Sequence, residues 1–116
     1  MVAVAQGEVW WADLGDPLGS GFRRPVLVVQ GDAFNRSAIS TVVCVPLTSN
    51  VTWAGAPGNV PLKPRDTGLP KESVANVSQV VALDRAVLVE RVAKVPSAKL
   101  DLVLRGIDVV LGRGAR

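Results

Sequence analysis

The chain has no histidine and no tyrosine among its 116 residues, and a single cysteine. Without histidine there is no side chain that titrates near neutral pH, no serine–histidine triad and no imidazole metal ligand. Without tyrosine there is no phenol, and one cysteine cannot close an internal disulfide. A transition metal would find almost no ligands, so neither a metal nor a cofactor is expected. Any catalysis falls to Arg, Lys, Asp, Glu, Ser, Thr and the backbone. Long apolar runs are missing as well: none approaches the roughly 18 residues of a membrane-spanning helix. The stretch Met1 to Trp11 has neither a basic leader nor a continuous apolar segment, so no secretory signal is read there. No membrane association and a cytoplasmic location are expected. Cys44, inside Val42-Val43-Cys44-Val45, reads as a buried structural thiol rather than a reactive one.

What is present fits one small domain over residues 1–116. Apolar residues make up 48%, enough to rule out disorder from low hydrophobicity. The net charge of +3 permits an acidic partner without requiring one. Its distribution is more informative. Arg23, Arg24 and Arg36 flank one apolar segment, and Lys63, Arg65 and Lys71 crowd a later loop, where a solvated surface explains them equally well.

The pattern is β-rich with one helix at the end. Glu8 to Leu14 is rich in β-formers. Gly15 to Arg24 holds three glycines and a proline and reads as a loop. Pro25 to Gln30 and Ser40 to Leu47 are short apolar strands, separated by a turn with a short helical piece over Gly31 to Ser37. A polar stretch, Val51 to Gly58, precedes a brief strand near Asn59 to Lys63 and a loop from Lys63 to Lys71. Ser73 to Leu83 alternates in part, and Val87 to Val95 reads as a further strand. After Pro96, with Ser97 as the expected N-cap, Leu100, Val103, Leu104, Ile107, Val110 and Leu111 recur at helical spacing up to Gly112. Their stripe is read as core. The expected architecture is mostly β (α+β): a small, curved antiparallel barrel closed by a C-terminal helix.

Two strand ends carry the candidate chemistry. In Gly19-Ser20-Gly21-Phe22-Arg23-Arg24-Pro25 a glycine-rich loop delivers an arginine onto a strand, and Pro25 biases Arg24 toward an extended backbone. An arginine so placed presents a planar cationic fork to a phosphate, although a charge flanking a strand is the commoner situation. In Pro46-Leu47-Thr48-Ser49 two hydroxyls end an apolar strand; they can donate to a phosphate oxygen or simply bond the turn backbone. Neither signal is specific alone.

In combination they are. The order G-E-V-W-W-A-D-L, G-S, R-R-P-V-L-V-V-Q, D-A-F-N, T-V-V-C-V-P-L-T-S-N, A-P-G-N-V and L-P-K-E-S-V-A-N-V-S-Q-V resembles the MazF/PemK toxin family from about Gly7 to Gly112. The resemblance implies an SH3-like barrel of the CcdB/MazF type. It implies a metal-independent, sequence-selective endoribonuclease that cuts single-stranded RNA to 2′,3′-cyclic phosphate and 5′-hydroxyl ends. It assigns the catalytic pair to Arg24 and Thr48 and RNA contacts to Ser20 and Gln79. Arg23, Asn35, Arg36 and Ser49 are further candidates to line the RNA groove. The implied partners are a second copy of the chain and a cognate MazE-like antitoxin whose acidic C-terminal tail occupies that groove.

One departure matters. Relatives often carry Gly-Ser-Glu in the first loop where this chain has Gly19-Ser20-Gly21, so the general base is left open; Asp13 and Asp16 lie close in sequence without matching the motif. Two other readings stand beside the nuclease: a CcdB-like gyrase-binding toxin, because the implied fold includes such toxins, and an inactive RNA-binding module, because the loop glutamate is missing. A dimer is also expected on physical grounds. Trp10 and Trp11 must point to opposite faces of a strand, and one small core does not easily hide both. One of them is then available to an interface or to an RNA base.

Overall fold

The computed structural model describes residues 3–15 and 22–113. Strand β1 (Glu8–Asp13) pairs antiparallel with β2 (Arg23–Val28), and β2 pairs with β3 (Thr41–Thr48). A one-turn helix, α1 (Asp32–Asn35), lies between the last two. A short 3-10 turn at Val51–Gly55 leads to β4 (Val60–Leu62) and a second one-turn helix, α2 (Pro64–Thr67). Strands β5 (Ser73–Ala75), β6 (Val81–Asp84) and β7 (Leu88–Lys94) follow, then helix α3 (Ser97–Val110).

All pairings are antiparallel, in the order β4-β5-β3-β2-β1-β7, with β6 also on β3. The fold is thus the expected strand-rich sheet with a terminal helix, but among the described residues the sheet does not close into a barrel, since its ends β4 and β7 are not paired. Strand β3 is the hub. One edge meets β2; the other meets β6 over Thr41 to Cys44 and β5 over Leu47 and Thr48. Pro46 falls in the interval between those two partners, where a residue without an N–H costs the ladder least. Its carbonyl accepts the Asn76 N–H at 3.0 Å, and the chain from Asn76 to Val80 fills the gap as a 3-10 turn.

Each central strand is buried on both sides, so alternation divides its residues between two clusters. Val9, Leu27, Val45 and Leu47 belong to the first, against which Trp11 and the helix residues Leu100, Leu104 and Ile107 pack around fully buried Val103. Trp10, Ala12, Val26, Val28, Val42, Cys44 and Leu88 form the second. The two tryptophans do point to opposite faces, and it takes both clusters to cover them. Trp10 is 6% exposed, and its Nε1 donates to Glu8 Oε1 at 3.0 Å. Cys44 is fully buried, and burial pushes its thiol up to about 12, the inert thiol expected from its apolar surroundings.

The helix begins at Ser97, the residue expected to cap it. Pro96, not Ser97, is the N-cap: its carbonyl accepts from the Lys99 and Leu100 N–H groups, and no side chain caps the helix. Gly112, at φ +71°, ends it as expected. Val110 and Leu111 do not join the core; they are 39% and 61% exposed. At Gly106 the backbone of α3 rests against Gly58 in the turn before β4. The expected loop at Lys63 to Lys71 contains α2, started by Pro64 and ended by Gly68. No helix among the described residues is long and apolar enough to cross a membrane.

Candidate active site

Two adjacent pairs, Arg23-Arg24 and Thr48-Ser49, end neighbouring strands, and alternation splits each pair between the two faces of the sheet. Arg24 lies on the face of Val26, and Thr48 on that of Pro46. The β2–β3 register pairs Val26 with Pro46, so two residues further along Arg24 stands opposite Thr48. These two line one cavity of about 370 Å³ together with Phe22, Trp53, Asn76 and Gln79. The apolar floor comes from Val26, Pro46 and Leu83.

Each group is held in place by a nameable contact. The Arg24 guanidinium lies 4.4 Å from the centroid of the Phe22 ring, a cation–π contact that steadies it. Thr48 Oγ1 accepts the Asn50 N–H at 3.1 Å, which leaves the hydroxyl proton free to be donated. Gln79 and Trp53 are carried on the two 3-10 turns, and Asn59 ties those turns together. Asn59 Nδ2 donates to the Trp53 carbonyl at 2.9 Å and to Asn76 Oδ1 at 3.3 Å, and Asn59 Oδ1 accepts the Val77 N–H at 3.0 Å.

Among the described residues, no Asp or Glu lines this cavity. Asp13 is outside it: its carboxylate is exposed and accepts the Gly15 N–H at 3.0 Å. Nor does any group of three or more His, Cys, Asp or Glu among the described residues come together in a way that would hold a metal ion. The cavity is therefore cationic and rich in donors, suited to an anion on which further negative charge develops.

Arg23 and Ser49 line a second cavity, of about 250 Å³, with Trp11, Leu69, Lys71 and Ser73. Arg23 bonds Glu90 at 3.0 Å and lies 5.9 Å from the Trp11 ring centroid. Asn35, expected in the groove, is elsewhere and buried. Its amide donates to the Gln30 carbonyl at 2.9 Å and to Asp32 at 3.1 Å, and its carbonyl oxygen Oδ1 accepts from Gln30 Nε2 at 2.9 Å. A side chain so fully satisfied holds the 30–35 turn and has nothing left to offer a ligand. Arg36, exposed at the end of α1, lines neither cavity. Ser20 and Asp16 lie outside the described residues. Sequence reasoning passed over Phe22, Asn59 and Asn76. The one trace of the two asparagines is their position, each a polar residue abutting a short strand.

An antiparallel sheet with a terminal helix, whose strand ends bring an arginine and a hydroxyl to one cavity, defines a small mostly β protein. Residues 5–111 match the family described as PemK-like, MazF-like toxin of type II toxin–antitoxin system, and the chain belongs to that family. It is 44% identical to the endoribonuclease MazF2 of Mycobacterium bovis, over 95% of this chain and 98% of the relative. It is 31% identical to the endoribonuclease MazF of Staphylococcus epidermidis, covering 94% and 92%. Among solved structures, a MazE–MazF crystal form from Deinococcus radiodurans superposes with a TM-score of 0.80 at 26% identity, covering 98% and 100%. An endoribonuclease in complex with its cognate antitoxin, from a mycobacterial species, does so with a TM-score of 0.75 at 27% identity over the whole of both chains.

Proposed function

We propose that the protein is a sequence-selective, metal-independent endoribonuclease toxin of a type II toxin–antitoxin system, acting in the cytoplasm on single-stranded RNA. The observation that carries this reading is the meeting of Arg24 and Thr48 across β2 and β3 in one cavity, within a chain of this family. In the reaction the ribose 2′ oxygen bonds to the adjacent phosphorus while the bond to the 5′ oxygen breaks. Solvent takes the 2′ proton and supplies one to the departing 5′ oxygen, leaving a 2′,3′-cyclic phosphate and a 5′-hydroxyl. Charge grows on the non-bridging oxygens. Arg24 clamps one of them and Thr48 donates to the other, so both contacts strengthen toward the transition state. Arginine serves here as a fixed charge rather than as an acid, because a guanidinium holds its proton too tightly to be a good proton donor. Gln79 and Trp53, at the rim, contact the bases on either side of the scissile phosphate.

A homodimer and a MazE-like antitoxin complete the system, the antitoxin's acidic tail occupying the cationic cavity. Light scattering at micromolar concentration is expected to give a mass near twice 12.2 kDa; an active monomer would refute the dimer. The nuclease reading is tested with purified protein and a defined single-stranded RNA in excess EDTA. Full-rate cleavage is expected, with Arg24→Ala losing roughly a hundredfold, as for one transition-state donor, while remaining folded. Absolute dependence on added Mg²⁺, or near-normal cleavage by folded Arg24→Ala, would overturn it. A gyrase-binding toxin or an inactive RNA-binding module would leave the RNA uncut.

A further inference from the structure

The alternation that puts Arg24 and Thr48 on one face of the sheet leaves a matching set on the other. Arg23 and Ser49, the remaining members of the two pairs, share the face of Trp11, and Lys71 joins them at the second cavity. Cations, a hydroxyl and an aromatic ring recur there in the same combination as around Thr48. Arg24 and Leu47 border both cavities, so a strand held at Arg24 has a continuous path around the end of β2 from one to the other. The second cavity, about 250 Å³, is smaller than small-molecule sites, which start near roughly 300 Å³. That suits one nucleotide better than a folded peptide element.

The ring of Trp11 is covered rather than open. The Arg23 guanidinium lies over it at 5.9 Å, held by Glu90 at 3.0 Å. Glu90 in turn stands directly across from Trp11 in the β1–β7 register. Arg23 and Glu90 are both exposed, so their pairing is weak, and a phosphate can replace the carboxylate as the guanidinium's partner.

We propose that this cavity is a second nucleotide subsite. One nucleotide flanking the scissile position stacks on Trp11, its phosphate is taken by Arg23 and Lys71, and Glu90 holds Arg23 over the empty ring until RNA displaces it. The subsite rests on the nuclease reading above and adds to it a site on the opposite face of the sheet.

Once the cleavage sequence is mapped from the fragments of an RNA pool, the test uses oligonucleotides with a 2′-deoxy sugar at the scissile position, which cannot react. A minimal one is compared with versions extended by a few nucleotides at the 5′ or the 3′ end. Binding to wild type, Lys71→Ala and Glu90→Gln is read by fluorescence anisotropy over a range of salt. Extension at one end is expected to tighten wild-type binding at least fivefold, the low end of what one stacked base adds. It should also steepen the log–log salt dependence by about 0.7 per phosphate engaged. Lys71→Ala is expected to bind the minimal oligonucleotide normally and lose most of both increments, whereas Glu90→Gln is expected to enlarge the gain in affinity. The subsite is overturned if extension adds nothing while the minimal RNA is still bound and its ribose form cleaved. It is equally overturned if Lys71→Ala weakens both oligonucleotides by the same factor, or if Glu90→Gln leaves the gain unchanged. If Lys71→Ala weakens only an acidic antitoxin-type peptide, the cavity belongs to the peptide. Wild type that neither binds nor cuts any RNA removes the nuclease reading and the subsite together.

Discussion

Replacing Asn59 with alanine removes three hydrogen bonds through one side chain: to the Trp53 carbonyl, to Asn76 Oδ1 and from the Val77 N–H. A hydrogen bond nets about 0.5–1.5 kcal/mol, with exposed ones at the low end. The bond to Trp53 is exposed and the other two are part-buried, so the loss comes to about 2 kcal/mol. At roughly 4 °C per kcal/mol for a domain of this size, Tm should fall by about 8 °C. The effect on activity is selective, because Asn59 ties down the turns that carry Trp53 and Gln79, whereas Arg24 and Thr48 are fixed by the β2–β3 register. Steady-state cleavage of a short RNA should therefore show KM raised about tenfold and kcat within about threefold of wild type, the signature of lost binding rather than lost chemistry. Asn59→Asp keeps an acceptor for the Val77 N–H and loses both donors, so it should fall between the two. Wild-type KM combined with a large drop in kcat would refute the reasoning, as would an unchanged Tm.

In an ordinary helix Gly→Ala gains about 1 kcal/mol. At Gly106 the added Cβ would collide with the Gly58 carbonyl oxygen, with the carbonyl carbon only 3.0 Å away. Gly106→Ala should therefore lower Tm, by an overpacking cost of about 1–3 kcal/mol set against that gain, and a raised Tm by calorimetry would refute the contact. Acid should destabilise the protein through Glu8. Burial pushes its carboxyl up, but hydrogen bonds from Arg91, Trp10 and the Ala5 N–H outweigh that and hold it below the ordinary carboxylate range. A depressed folded pKa stabilises above the unfolded value and is lost as pH falls through the folded one, so Tm should hold down to about pH 5 and then decline. Asp32, lowered by the Gln6 N–H and Asn35, adds in the same direction. Glu8→Gln should flatten part of the decline, and an unchanged acid slope would assign it elsewhere.

The elements were largely legible in the sequence because their signals are local. Apolar runs bounded by glycine and proline mark β1, β2 and β3, and the three- and four-residue spacing from Leu100 to Ile107 marks α3. The absence of histidine and tyrosine, with a single cysteine, left the chemistry to Arg, Lys, Asp, Glu, Ser, Thr and the backbone. The R-R-P and L-T-S motifs picked out both doublets, since strand ends and their flanking charges are written in consecutive residues. Which member of each doublet faces which cavity depends on register, and register is a relation between strands. Only the pairing of Val26 with Pro46 brings Arg24 opposite Thr48 and sends Arg23 to the other face. The same holds for the groups that sequence reasoning misplaced or passed over. Asn35 resembles a surface amide until Gln30 and Asp32 close around it, and Asn59 acquires its role only because the 51–55 and 77–79 turns fold to either side of it. Hydrogen-bond partners distant in the chain leave no periodic trace, so composition and local pattern set the elements and the available chemistry, while the tertiary structure decided which side chains meet.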